Sequence, residues 1–249
     1  MVKLAFFALV LAATDTFSYD ACLKKAERHP DEALEMAMNA LGEGDDAGAE
    51  HCAAVSLVGL KQFGEAARRL DKLARKASAG GTETRAQILD QAGNAWILAG
   101  QPELATQSFT AALALMPGDA DFLVDRARAS AAQKKWAAAE ADLSAALVSE
   151  PGYVQALVLR SSARRAQKNL QGAMGDITQA LILEPKSAEA LVERGLLRAA
   201  QGDKAGARKD FLEVLSLAAD PDKATADGAR EAAARARIEI EKLEVKSTR

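Results

Sequence analysis

Small and apolar residues recur at a fixed spacing along the middle of the chain, and this pattern predicts pairs of antiparallel helices. Pro117, Pro151 and Pro185 lie 34 residues apart, each after an alanine-rich segment in the same register. Apolar residues three and four positions apart lie on one face of a helix. Residues that favour strands are sparse, so an all-α fold is expected. The four repeating columns of side chains are Ala105, Ala139, Ala173, Ala207; Phe109, Leu143, Ile177, Phe211; Ala112, Ala146, Ala180, Val214; and Leu113, Leu147, Leu181, Leu215.

Each column suits a position between two packed helices. The alanines let the helices approach closely, the Phe, Leu or Ile fills the space between them, and the proline ends the second helix. Gly93 and Gly195 fall on the first helix of a pair, where the two backbones are expected to cross. A further column on the first helices consists of Leu89, Leu123, Leu157 and Leu191.

These columns resemble the tetratricopeptide repeat, whose usual pattern is W-x2-L-G-x2-Y, then A-x3-F-x2-A, then P. The resemblance covers residues 82–219 as four repeats, and it implies a right-handed superhelical solenoid of antiparallel helix pairs. Degenerate helix pairs are predicted over 19–80, and a C-terminal capping helix over 222–245, because an open solenoid end exposes its core. The second repeat matches best, through Leu89, Ala92, Gly93, Trp96, Ala105, Phe109, Ala112 and Pro117.

The N-terminus carries an apolar run from Leu4 to Ala13 behind a single positive charge at Lys3. Such a run is too short to span a bilayer as a helix, and it is typical of a signal peptide. We therefore expect a signal peptide within residues 1–18 and a periplasmic protein. The alternative is a buried N-terminal helix in a cytoplasmic protein.

Composition and motifs limit the classes of function that are expected for this chain. The net charge is −3, and no basic face suggests a nucleic-acid partner. No later segment is apolar enough for a stable membrane span. The sequence contains no H-E-x-x-H, G-x-S-x-G or phosphate-binding G-x4-G-K-[ST] motif. Neither an enzyme nor a bound cofactor is expected.

The two cysteines, Cys22 and Cys52, are predicted to lie on neighbouring first helices of the degenerate pairs. In an exported protein a disulfide between them is the favoured interpretation. A zinc site that adds His29 and His51 is less favoured, because the spacing lacks the close ligand pairs typical of such sites. The remaining alternative is two small buried residues.

Two charge columns repeat with the same period. Arg126, Arg160 and Arg194 fall on first helices, and Asp142, Asp176 and Asp210 fall on second helices. Pairing within a repeat uses every member, so we predict Arg126–Asp142, Arg160–Asp176 and Arg194–Asp210. The alternative is independent surface charges, which contribute little. The nearby basic run of Arg164, Arg165 and Lys168 is expected to be a solvated helix end.

The resemblance also implies a partner groove lined by first-helix residues. Family members that clamp a chaperone C-terminal carboxylate place a lysine where this chain has Asp90 and three valines, so a carboxylate clamp is not expected. A mostly apolar groove favours an apolar partner such as an amphipathic helix. The alternative is that these small residues only pack neighbouring repeats. The predicted groove residues are Asp90, Asn94, Ile97, Leu98, Val124, Arg128, Val158, Ser162, Arg165, Val192 and Leu196.

The leading functional hypothesis is a non-catalytic scaffold that binds a peptide or helix of another protein. The second is a structural accessory subunit of a secretion or outer-membrane assembly. A third, an enzyme with a site in the groove, is disfavoured because catalysis needs clustered polar groups and the predicted groove is mostly apolar. The sequence does not identify the partner.

Overall fold

The computed structural model describes residues 17–44, 46–76, 80–219 and 227–245. The proposed signal peptide lies almost entirely outside the described residues. Over the described residues the secondary structure is helical, without strands. The helices are α1 Tyr19–Ala26, α2 Pro30–Glu43, α3 Ala47–Gly59, α4 Phe63–Ala74, α5 Thr82–Leu98, α6 Pro102–Leu115, α7 Ala120–Ala132, α8 Trp136–Ser149, α9 Val154–Ala166, α10 Leu170–Leu183, α11 Ala188–Ala200, α12 Lys204–Ala219 and α13 Asp227–Val245.

The chain divides into two compact units, residues 1–79 and 80–249. In the first unit, α1 to α4 pack in sequence, and α1 also contacts α3. In the second unit, α5, α7, α9 and α11 are first helices, and each packs against the second helix that follows it. Each second helix then contacts the next first helix, and α12 contacts α13 in the same way. The second unit is therefore a stack of helix pairs.

Local sequence signals set the helix ends. Side chains of Asp119 and Ser187 accept hydrogen bonds from backbone N–H groups in the first turns of α7 and α11, which satisfies donors that the helix leaves free. Prolines follow two residues after the ends of α6, α8 and α10, where they cannot continue the helix.

The turn inside each helix pair places one residue in the left-handed region of the backbone. In the second unit these residues are Gly100, Lys134, Lys168 and Gly202, again 34 apart. Glycine adopts this conformation without strain, whereas a lysine does so at a cost of about 1 kcal/mol. Lys168 is therefore a turn residue.

The repeating columns form the core between paired helices. Ala105, Ala173 and Ala207 are fully buried, and Ala139 is nearly so. Gly93 and Gly195 lie against the rings of Phe109 and Phe211, since a Cβ atom built at either glycine would come within 2.5 Å of the ring. The backbones therefore approach closely there, as expected from the sequence.

Helix α13 covers the last repeat. Ala232, Ala233 and Ala236 join an apolar cluster with residues of α11 and α12, and Ile240 and Leu243 pack against it. The first five residues of the capping helix predicted from the sequence, 222–226, lie outside the described residues.

Candidate protein-binding surface

The first helices α5, α7, α9 and α11 present the side chains that the sequence assigns to a partner groove. We call this set of side chains the first-helix surface. The structure leaves several of them accessible: Leu98 is 57% exposed, Arg128 is exposed, and the rest of the accessible set is half-buried. The half-buried residues are Asp90, Asn94, Ile97, Val158, Ser162, Arg165 and Leu196.

Two of the predicted groove residues are in the core, which corrects the sequence-based assignment. Val124 and Val192 are each only 2% exposed and cannot contact a partner. Val192 belongs to the cluster that contains Ala232 and Ala236 of α13. In this column of the repeat Val124 and Val192 are therefore core residues, as the alternative interpretation had it, and Val158 is the partly exposed one.

Asp90 occupies the same repeat position as these valines, and its surroundings are unusual for a carboxylate. Its Oδ2 accepts a hydrogen bond from Asn94 at 3.1 Å, and the same amide donates to Asp125 at 3.1 Å. Its Oδ1 is buried without a described partner. Burial, and then the charge of Asp125, raise the pKa of Asp90 to about 7. The sequence had suggested a mostly apolar surface, but around Asp90 the first-helix surface is acidic.

The two arginines predicted for the groove are already paired. Arg128 donates to Asp125 at 3.0 Å. Arg165 donates to Glu193 at 2.6 and 3.2 Å, and the Glu193 side chain is 3% exposed. Burial raises the pKa of the Glu193 carboxyl, and Arg165 opposes that change. The Arg165–Glu193 pair therefore joins the adjacent first helices α9 and α11, whereas the Arg128–Asp125 pair lies within α7.

A pocket of about 610 Å³ opens on the first-helix surface at the N-terminal ends of α9 and α11. It continues toward α13 as a smaller cavity of about 200 Å³ that shares Val158, Leu159 and Glu189 with it and is also lined by Arg235. We call the larger cavity the α9–α11 pocket. Its apolar wall consists of Tyr153, Val154, Val158 and Leu159, and its acidic rim of Glu150, Glu184 and Glu189.

Tyr153 is held in place by the preceding repeat. Its hydroxyl donates to Oδ1 of Asp121 at 2.6 Å. Burial and this contact with a carboxylate raise the pKa of the Tyr153 phenol, so it stays a neutral donor. Of the pocket residues, the sequence had indicated only Val158. Tyr153 lies in a loop, and Leu159 and Glu189 occupy repeat positions that the family pattern does not mark.

The arginine and aspartate columns form a charge ladder, in which each ion pair joins the two helices of one pair. Arg126 donates to Asp142 at 2.6 and 2.9 Å, Arg160 to Asp176 at 2.7 and 3.1 Å, and Arg194 to Asp210 at 2.7 and 3.1 Å. These are the within-repeat pairs that the repeat register predicts. The side chains of Asp176 and Asp210 are 5% and 1% exposed.

The expectation of a solvated helix end at Arg164 and Arg165 is wrong. Arg164 donates to Asp176 at 2.8 Å and to Glu140 of the preceding repeat at 2.7 Å. Arg198 repeats the first contact by donating to Asp210 at 2.8 Å. The signal was present in the sequence, because Arg164 and Arg198 are also 34 residues apart.

In the first unit, Cys22 of α1 and Cys52 of α3 lie side by side. Their Cα atoms are 6.2 Å apart and their Sγ atoms are at bonding distance. Both residues are fully buried. His51 instead contacts Tyr19, whose hydroxyl lies 2.8 Å from Nδ1. No cluster of three or more acidic, His or Cys side chains in the described part of the chain could hold a metal ion.

The class of protein that these features define is a helical-repeat protein with the tetratricopeptide-repeat fold. A MamA structure, residues 41 to the end from Desulfovibrio magneticus RS-1, is similar with a TM-score of 0.61 and 21% identity; the match covers 72% of this chain and 98% of that chain. YrrB, a tetratricopeptide-repeat protein with an unusual peptide-binding site, is similar with a TM-score of 0.55 and 18% identity, over 77% of this chain and 96% of that chain.

At these identities the likeness concerns the fold. No family model and no curated protein matches the sequence. No helix among the described residues is both long and apolar enough to cross a membrane.

Proposed function

We propose that this protein is a non-catalytic scaffold that binds a peptide segment of another protein on its first-helix surface. The observation that carries the proposal is the α9–α11 pocket, whose volume of about 610 Å³ lies in the range of ligand sites. The tetratricopeptide-repeat fold of YrrB, which has a peptide-binding site, supports the same use of the fold here. Fold alone does not establish function, so the proposal depends mainly on the pocket.

Site-specific photo-crosslinking in living cells tests this proposal. A photoreactive amino acid at Gln155, an exposed residue of the pocket lining, should give a discrete covalent adduct with one protein. The same substitution at Glu213, an exposed residue of α12, is the matched control and should give none. The absence of an adduct from Gln155 in every sample would contradict the proposal.

A second candidate function is a structural subunit of a larger envelope assembly. The observation in its favour is an exposed apolar pair on the second helices, Val148 and Ile182, which are 82% and 73% exposed. They hold the same repeat position, 34 residues apart, on α8 and α10. A crosslink from Val148 without one from Gln155 would favour this function.

We also propose that the protein acts in the cell envelope. The apolar run at residues 4–13 and the pairing of Cys22 with Cys52 both support export to an oxidising compartment. N-terminal sequencing of the protein purified from the envelope should find a start after the apolar run. An intact N-terminus in cytoplasmic fractions would contradict export.

A further inference from the structure

The acidic rim of the α9–α11 pocket forms no ion pairs within the described residues, and the nearest cation in the cavity linings is Arg235 of α13, which lines the adjoining smaller cavity. Glu150, Glu184 and Glu189 are exposed, and no described residue forms an ion pair with any of them. The cations of the first-helix surface, by contrast, are committed elsewhere: Arg128 pairs with Asp125, and Arg165 pairs with Glu193. The lining of the pocket itself holds three carboxylates and no cation, so its charge is negative, and the single Arg235 of the smaller cavity offsets only part of it.

The placement of the glutamates follows the repeat. Glu150 and Glu184 are the C-cap residues of α8 and α10, and they lie 34 residues apart. The C-terminal ends of these second helices and the N-terminal ends of α9 and α11 meet at the same loops, so their opposite dipoles largely offset one another. The side-chain charges then determine the local potential. Met116 holds the equivalent position in the second repeat, which confines the acidic rim to the pocket.

The apolar wall of the pocket is pre-organised. The hydrogen bond from Tyr153 to Asp121 fixes the ring beside Val154 before any partner arrives. Val158 and Leu159 extend the apolar wall along α9. A rigid apolar wall of this kind suits a large apolar side chain, because little conformational entropy is lost when the side chain binds.

We propose that the α9–α11 pocket binds a cationic peptide segment in which a large apolar side chain enters the pocket and flanking Lys or Arg side chains pair with Glu150, Glu184 and Glu189. This inference rests on the peptide-binding function proposed above and adds the chemistry of the partner. Complementary charge at a rim speeds association and rejects partners of the wrong sign. An acidic segment or a free C-terminal carboxylate is repelled by the same three glutamates.

Random peptide display against the full chain, followed by affinity measurement of the enriched peptides by fluorescence anisotropy, tests the inference. Three variants accompany the wild type. Glu184→Gln with Glu189→Gln removes two rim charges, and Glu213→Gln with Glu241→Gln removes two exposed charges of α12 and α13 as the matched control. Gln155→Trp places an indole at the pocket without a change in charge.

The expected result is enrichment of peptides with a positive net charge and at least one large apolar residue. The rim variant should bind them about tenfold more weakly at low ionic strength, and the difference should shrink in high salt. The control variant should bind like the wild type, and Gln155→Trp should weaken binding at every salt concentration.

Two other outcomes separate the inference from the function on which it rests. If the enriched peptides are acidic or uncharged and Gln155→Trp weakens their binding, the partner is not cationic, but the proposed peptide-binding function still holds. Absence of any enriched peptide, or binding that Gln155→Trp does not affect, would overturn both.

Discussion

Gly195 of α11 and Phe211 of α12 illustrate how single residues in the two helices of a pair fit one another. In the second and fifth repeats a glycine faces a phenylalanine, whereas the third repeat combines Ala127 with Leu143 at the same two positions. The space between the helices is thus shared between the two side chains, and a larger residue on one helix goes with a smaller residue on the other.

Gly195→Ala should lower the free energy of unfolding by about 2 kcal/mol, because the new Cβ would lie 2.5 Å from a fully buried ring. The double variant Gly195→Ala/Phe211→Leu recreates the pair of the third repeat. The free energy of unfolding that it loses should be at least about 1 kcal/mol smaller than the sum of the losses in the two single variants. Urea unfolding measures all three, and strict additivity would show that the two positions do not share this space.

Asp90 is predicted to make stability depend on pH. The pKa of its carboxyl is about 7 in the folded chain against an ordinary value of 3.8. Between these values the folded state holds a proton that the unfolded state has released, so stability falls as the pH rises from about 4 to 7 and then levels off.

Asp90→Asn removes this titration and keeps the shape of the side chain. Since water partly screens this half-buried group, we expect a gain of about 1 kcal/mol at pH 8. The gain should vanish near pH 4, and thermal unfolding across this pH range measures it. Glu83→Gln serves as a comparison at an exposed acid of the same helix, α5. A gain that is equal at both pH values would exclude ionisation of Asp90 as its cause.

At the scale of helices, the carboxylates of the second helices join the two helices within each pair. Asp210 accepts hydrogen bonds from both Arg194 and Arg198, whereas Asp142 accepts from Arg126 alone. The ladder therefore strengthens toward the C-terminal repeats. A carboxylate this buried depends on its partners, and the arginines depend on it equally.

Asp210→Asn should lower the free energy of unfolding by about 3 kcal/mol, because two arginines lose their common carboxylate. Asp142→Asn should cost about 1 kcal/mol, since it involves one arginine and a more exposed carboxylate, 13% against 1%. Chemical denaturation of both variants provides the measurement. Equal losses would indicate that the second arginine adds nothing.

The sequence was sufficient to predict the helix pairs, their register and the charge pairs, because these depend on contacts that recur every 34 residues. It failed where a residue depends on something outside the repeat. Val192, for example, packs in a cluster with α13, which does not follow the repeat pattern. The α9–α11 pocket was not predictable, since its wall includes a loop residue, Tyr153, that has an aspartate of the preceding repeat as its partner.

At the scale of the whole molecule, each helix pair of a repeat protein contacts only its neighbours, so stability is distributed along the chain. The Cys22–Cys52 pair belongs to the first unit alone, where it joins α1 to α3. Both tryptophans, Trp96 and Trp136, belong to the second unit. The two units can therefore be followed by different signals in one unfolding experiment.

We propose that the Cys22–Cys52 bond is formed in the cell, and we predict that it stabilises the first unit selectively. A disulfide that closes a segment of 30 residues contributes about 3 to 4 kcal/mol on the chain-entropy model. Reduction during urea unfolding should move part of the circular dichroism transition to lower urea, whereas the tryptophan fluorescence transition should hardly move. The variant Cys22→Ser/Cys52→Ser should behave like the reduced protein and should not respond to reductant. Two thiols that react with a labelling reagent in the unfolded, unreduced protein from the envelope would show that the bond is not formed there. Equal shifts of both signals would instead show that the bond stabilises the chain as a whole.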